Sequence, residues 1–435
     1  LMLKLNAYST AITLALTFIA VFIALKIFGT HVNSAQRMPW LIVITAVPFF
    51  GICIYLLFGR SIVTKGMRRR FNGIESDILV NKLSQDETVI DEIAAKDKGI
   101  ANQCRYISHT ARYPVYKNTD VEYYAEADIS FAAQIEELKK AEHFIFMEYH
   151  AIEDALSFER LKKVLIEKAQ SGVEVRIFYD DLGSIFFLNK EFIKRMREQG
   201  IQCRVFNPLK VVVNMFMNNR DHRKITVIDG RVGFTGGYNL ADEYFNITHP
   251  YGYWKDTGIK LTGDAVRSLT ASFLTMWNAI DHTDSQADYD KYLDAADNTY
   301  KAVDSECYVQ PYSDNPLGQD RIGEDVYLNI LKNAKDYVYI TTPYLIITDE
   351  MERELRLAVK RGVDVRIVTP GIPDKKMVYK ITRSYYEPLC SAGVRIYEYT
   401  PGFCHAKQWV SDDEVSVVGT INMDFRSLYL HFENA

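Results

Sequence analysis

With 435 residues, 48% of them hydrophobic and 25% charged, the chain has material for about two or three domains and a true core, which excludes a disordered or collagen-like protein. Its 51 basic and 56 acidic side chains leave a net charge of -5, which argues against a generally basic nucleic-acid binder. Cys53, Cys104, Cys203, Cys307, Cys390 and Cys404 are scattered with no C-x-x-C pair, so neither a zinc site nor a disulfide framework is expected and all read as free thiols.

The chain opens on two apolar segments. Residues 7–28, AYSTAITLALTFIAVFIALKIF, carry one charge, Lys26, and residues 40–58, WLIVITAVPFFGICIYLLF, carry none. At about 1.5 Å per residue either one reaches across a ~30 Å hydrocarbon layer, so two transmembrane helices are predicted over residues 1–60. The loop 29–38 holds only Arg37, whereas Arg60, Lys65, Arg68, Arg69 and Arg70 follow the second segment. That asymmetry predicts a two-span protein of the cell membrane with the rest of the chain cytoplasmic, and Arg68–Arg70 also read as a patch for anionic headgroups. Residues 61–110, polar with helix-like runs such as VIDEIAAKDK, form a connector. Opening on Leu1 rather than Met and ending at Glu433-Asn434-Ala435, the sequence reads as a piece of a longer protein.

Beyond the connector the chain repeats itself. FIFMEYHAI (144–152) corresponds to YVYITTPYLII (337–347), SGVEVRIFYDD (171–181) to RGVDVRIVTPG (361–371), and QGIQCRVF (199–206) to AGVRIYEY (392–399). Helix-like stretches alternate with short β-branched runs, so an α/β fold is predicted, with a sheet flanked by helices in each half. The halves are expected at 111–285 and 286–435, related by a pseudo-twofold, with a site where they meet. The acidic stretch 281–298 reads as a solvated link between them.

Each half then carries the same motif. His222-x-Lys224 is followed by Asp229, Gly236 and Asn239, and His405-x-Lys407 by Asp412, Gly419 and Asn422, so both obey H-x-K-x4-D with glycine 14 and asparagine 17 positions after the histidine. His222, Lys224, Asp229, His405, Lys407 and Asp412 are therefore the candidate catalytic set. In a strand, residues i and i+2 share a face, so each histidine points with its lysine, and a returning strand brings Asn239 or Asn422 to the same place. Two imidazoles, two ammoniums and two amides suit one phosphate. Asp229 and Asp412 fall on the opposite parity, and within the motif they are expected to hold structure through hydrogen bonds.

The paired motifs, together with MEYH, YDDLGS, YWKDT, TTPYL and NMDFRS, resemble the phospholipase D superfamily, and within it the bacterial cardiolipin synthases, which also have two N-terminal membrane spans. The resemblance covers essentially the whole chain, and one departure is the missing stretch that follows the final glutamate in that family. It implies two phospholipase D-type repeats and phosphatidyl transfer through a phosphohistidine, with phosphatidylglycerol as substrate, cardiolipin as product, and neither a cofactor nor a metal. His222 is then the nucleophile and His405 the general acid and base, while Lys224, Lys407, Asn239 and Asn422 hold the phosphate oxygens. Each histidine needs a carboxylate to orient it. Glu433, 28 positions past His405, matches the family's orienting glutamate, and Asp256 is assigned to His222 ahead of Glu243.

The implied partners are those lipids and the membrane, with no nucleic acid; a homodimer is allowed. VVVNMFM (211–217) and SIFFL (184–188) could touch the bilayer or pack in the core. His150 belongs near the pocket if any further histidine does, Tyr344 and Arg426 match family positions near the phosphate, and His109, His143, His249, His282 and His431 read as surface or packing residues. A phospholipase D or phosphatidylserine synthase is the alternative within lipid chemistry, and a membrane-anchored nuclease the alternative outside it.

Overall fold

The computed structural model describes residues 2–29, 34–56, 65–189, 191–208, 219–294, 300–303, 306–318 and 320–435, and it divides near Gly66 into two units. In the first unit, α1 (Met2–Phe28) contains a 21-residue stretch, Tyr8–Phe28, long and apolar enough to cross a membrane. It is the one such helix among the described residues, not one of two. The second apolar segment breaks into α2 (Ser34–Ala46) and α3 (Pro48–Ile54), 13 and 7 residues long, or about 20 and 10 Å at 1.5 Å per residue.

Proline is the cause of the break. Pro48 offers no N–H and pushes Val47 out of helical geometry, to φ -135° and ψ 76°. Gly51 then lies so close to α2 that a β-carbon on it would stand 2.4 Å from the Val43 carbonyl oxygen, so the chain doubles back. Ala20, Ile23, Ile27, Ile44 and Ile52 form the small apolar core of this unit.

The second unit is entered through α4 (Lys65–Glu75). Its first half supplies β1 (Thr119–Tyr124), β2 (Phe144–Tyr149), β3 (Glu174–Asp180), β4 (Gln202–Phe206), β5 (Arg220–Asp221), β6 (Lys224–Ile228), β7 (Val232–Gly236), β8 (Tyr253–Lys255) and β9 (Gly258–Gly263). The second half supplies β10 (Ser313–Asp314), β11 (Tyr337–Thr341), β12 (Leu345–Ile346), β13 (Asp364–Pro370), β14 (Arg395–Tyr399), β15 (Gly402–Cys404), β16 (Gln408–Ser411), β17 (Val415–Val418), β18 (Met423–Asp424) and β19 (His431–Asn434). One sheet runs β1-β9-β7-β6-β2-β3-β4 and the other β14-β13-β11-β16-β17. Read from the opposite edge, β4-β3-β2-β6-β7 repeats as β14-β13-β11-β16-β17, which is the duplication expected from the sequence.

Strand β2 shows why this sheet lies inside. All six of its residues are buried, because parallel strands carry helices on both faces. Ile145, Met147 and Tyr149 belong to the core that also holds residues of α5 (Ala127–Leu138) and α6 (Leu156–Gln170). On the other face Phe146 stacks on Phe273 of α7 (Val266–Ile280) at 4.6 Å between ring centres. The period of two thus separates the two layers.

The motif aspartates anchor these sheets. Asp229 adopts φ 51° in the turn after β6, and its carboxylate accepts the N–H groups of Glu142, His143 and Phe144, each at 2.8 Å, where β2 begins. Asp412, at φ 55°, accepts those of Lys335, Asp336 and Tyr337 at 2.8, 3.0 and 2.8 Å, where β11 begins. Burial alone would raise the Asp412 carboxyl, but these donors outweigh it and hold it below the ordinary carboxylate range. Asp229→Ala strips three donors of their acceptor, and a urea melt should show a loss of about 2–4 kcal/mol.

Of the stretch 281–298, residues 295–298 lie outside the described residues, and residues 281–294 are not a plain solvated link. Asp284 is buried and pairs with Arg176 at 2.7 Å, and Ser285 and Asp288 form a capping box for the helix Gln286–Leu293, which buries Tyr289, Tyr292 and Leu293. Charge hides an amphipathic helix here. The segment 211–217 lies outside the described residues.

Candidate active site

Two strands cross from one half to the other. β19 runs parallel to β5 with Phe432 opposite Asp221, and β15 runs parallel to β8 with Cys404 opposite Lys255. The next residue along each strand is then a candidate catalytic histidine: the His222 N–H donates to the Phe432 carbonyl at 2.9 Å, and the His405 N–H to the Lys255 carbonyl at 2.7 Å. Each histidine is therefore held by a strand of the other repeat.

The same strands deliver the carboxylates. His222 Nδ1 lies 2.9 Å from Glu433 Oε2, and His405 Nδ1 lies 2.6 Å from Asp256 Oδ2. This reverses the pairing expected from the sequence, which joined Asp256 to His222 and Glu433 to His405. Proximity along the chain was misleading because the carboxylate strands are exchanged. Glu243 touches neither imidazole; burial first, then the nearby Glu153 and Asp374, lift its carboxyl to about 6.

Glycine lets the carboxylate-bearing segment approach the motif tail within each repeat. A β-carbon on Gly236 would meet the Thr257 carbonyl oxygen at 2.4 Å, and one on Gly419 the Asn434 carbonyl oxygen at 2.3 Å. The chain just past each carboxylate thus runs against the glycine of one motif tail.

A carboxylate can only accept, so both imidazoles carry their proton on Nδ1 and leave Nε2 with a lone pair. Lys224 and Lys407 are buried beside them, and each ammonium turns onto its own histidine's carbonyl, 2.5 Å in the case of Lys224. Burial is the main force lowering these ammoniums, Lys224 to about 8 and Lys407 to about 7, and Lys224 adds repulsion to Lys407. Burial followed by the neighbouring lysines also depresses both imidazoles: His405 falls to about 4 against the pull of Asp256, and His222 falls well below its usual value. The resting site thus holds neutral imidazoles among crowded cations, a setting that an anionic phosphate would relieve.

The residue between histidine and lysine points the other way. Arg223 pairs in the core with Glu148 at 2.6 Å and with Asp221 at 3.2 Å, and the second repeat has Ala406 there. Asn239 has both ends of its amide engaged, by the Ala151 N–H at 3.1 Å and the Tyr244 hydroxyl at 2.7 Å, so it steadies the wall beside His405. Asn422 is buried, and its Oδ1 has no hydrogen-bond partner. Tyr344 donates to Asp374 at 2.6 Å.

Two further histidines border His222. His150 lies 5.0 Å away between ring centres and is fixed by its Nδ1 contact with the Asp221 carbonyl at 2.7 Å. His431 lies 5.4 Å away and sequence reasoning set it aside, although its place two residues before Glu433 on a strand puts both on one face. His222, His431 and Glu433 bring metal-ligand atoms within 4.8 Å of one another, but Lys224 and Arg426 flank them, so the surroundings favour an anion over a cation.

The chain is similar to known proteins over most of its length. A family model described as "Cardiolipin synthase, PLD-like domain" matches residues 134–277 and 327–435, and one for the phospholipase D-nuclease N-terminal region matches 15–60. An uncharacterized protein of Streptococcus mutans is 41% identical over 94% of this chain and 88% of its own length. A cardiolipin synthase of Halalkalibacterium halodurans is 33% identical over 97% of this chain and 83% of its own. Among solved structures, phosphatidylserine synthase of Haemophilus influenzae shares the fold, with a TM-score of 0.55 at 14% identity over 77% of this chain and 85% of that one.

Proposed function

Because the chain belongs to the phospholipase D superfamily, among the bacterial cardiolipin synthases, we propose that this membrane-associated phosphatidyltransferase joins two phosphatidylglycerol molecules into cardiolipin and releases glycerol. The observation that carries this reading is the pair of crossed dyads, His222 with Glu433 and His405 with Asp256, set over two buried lysines.

His222 Nε2 attacks phosphorus and breaks the bond to the glycerol oxygen, which takes its proton from His405. A bound phosphodiester anion favours the imidazolium and so charges His405 for that step. Lys224 and Lys407 turn from their carbonyls to the nonbridging oxygens, with Asn422 beside them, and stabilise the charge that grows there. His405 then accepts the proton of the second lipid's hydroxyl, whose oxygen displaces His222 from phosphorus. Asp256 and Glu433 hold the imidazoles in register throughout. Water in place of that lipid would give phosphatidic acid, so transfer requires a dry site.

Contact with the bilayer is supported at two places in the catalytic unit. Arg68, Arg69 and Arg70 are exposed on α4, and their charge favours the cytoplasmic leaflet. Phe186 is 93% exposed beside exposed Ile185 and Phe187, an apolar tip suited to the lipid interface. Vesicles of phosphatidylglycerol mixed with the purified protein should yield cardiolipin and free glycerol in equal amounts. Phosphatidic acid alone would identify a hydrolase instead, and cutting of single-stranded DNA a nuclease.

A further inference from the structure

The two dyads are related by the pseudo-twofold, yet what surrounds their carboxylates differs. At Asp256, Oδ2 faces His405 and Oδ1 accepts only the Thr257 N–H at 2.9 Å. Gly237 lies directly against this carboxylate, since a β-carbon there would stand 2.1 Å from Oδ1. Two residues before Asp256, on the same face, Trp254 packs its indole 5.2 Å from the His405 ring.

At Glu433 the corresponding positions are polar. Thr420 replaces Gly237, and its hydroxyl donates to Oε2 at 2.5 Å, the oxygen that also faces His222. His431 replaces Trp254, with Nδ1 3.4 Å from Oε1. Arg426 Nε donates to His431 Nε2 at 3.3 Å. A guanidinium can only donate, so His431 accepts at Nε2 and keeps its proton on Nδ1, facing Glu433. Glu433 therefore meets an imidazole and a hydroxyl through Oε2 and a second imidazole through Oε1, the last at ion-pair distance without a hydrogen bond, whereas Asp256 serves His405 and one backbone group.

We infer that His431, oriented by Arg426, is a positioning residue that draws on the charge of Glu433 and thereby fixes His222, rather than His405, as the neutral nucleophile of a nearly symmetric pair. This rests on the transfer reaction proposed above and explains how two copies of one motif acquire different roles. A carboxylate already shared does less to favour imidazolium on His222, while the unshared Asp256 favours it on His405. The other groups facing His222 are Lys224 from β6, His150 past the end of β2, and His405 and Lys407 from the second repeat. All four are cations or imidazoles that act in the same direction as His431.

The test is the pH profile of kcat/KM for transfer from phosphatidylglycerol in mixed micelles, whose acidic limb reports the proton that must leave the nucleophile. In His431→Phe that limb should move up by about one pH unit, so that activity on the limb falls roughly tenfold more than on the alkaline plateau. His431→Gln keeps an N–H donor and should recover most of the loss. Arg426→Leu, which frees the His431 tautomer, should shift the limb in the same direction, and it decides the matter should His431→Phe fail to fold. A uniform fall at every pH with the limb in place would overturn the inference, as would identical behaviour of the Phe and Gln variants. Failure of the transfer reading itself would look different, because the unmodified protein would then make no cardiolipin.

Discussion

Alanine at position 222 is expected to lower turnover by about ten thousand-fold or more, and to leave no phosphatidyl adduct when the reaction is quenched in alkali and the peptides are weighed by mass spectrometry. His150 and His431 offer no substitute nucleophile, because each is held in another contact, one by the Asp221 carbonyl and one by Arg426. Alanine at 405 acts differently. It removes the proton that glycerol must take as it leaves, which costs about a hundred- to ten thousand-fold. With a phosphatidyl ester of p-nitrophenol, whose leaving group departs unaided, this variant should still load His222 and release one burst of nitrophenol. An adduct found on His405 in the His222→Ala protein would reverse the roles assigned to the two rings.

The second large effect separates the two carboxylates. Asp256→Asn and Glu433→Gln should each slow transfer from phosphatidylglycerol by about a hundred- to ten thousand-fold, since an amide no longer fixes the imidazole tautomer. The nitrophenyl ester tells them apart. Asp256→Asn disturbs His405 at 2.6 Å and so should keep the burst, whereas Glu433→Gln disturbs His222 at 2.9 Å and should abolish it. The opposite pattern would restore the pairing that chain proximity suggests and would contradict the exchange of strands.

The sequence made the histidines and lysines of the site legible because the duplicated spacing repeats their chemistry, and made the sheets legible because alternation and repeat coincide. It also marked Asp229 and Asp412 as structural, since a period of two sends them away from their histidines. It could not reveal which carboxylate serves which histidine, because β8 and β19 belong to neither motif and their partners are fixed only by long-range pairing. His431 was missed for a related reason: a residue without a counterpart in the repeat is invisible to a search for repetition, yet asymmetry is what it contributes. The second apolar segment misled because length and composition measure a hydrophobic run, whereas Pro48 and Gly51 decide whether that run stays straight. Asn239 satisfies the spacing rule, and its amide also holds Tyr244 and Ala151, with one N–H left over.

His222 and Glu433 are 211 residues apart, and His405 and Asp256 are 149 apart. A ribosome that has finished only the first repeat has therefore made an imidazole with no carboxylate behind it and a carboxylate with no imidazole in front. On the transfer reading proposed above, both dyads and the reaction they serve are complete only once β19 has slotted beside β5 and β15 beside β8.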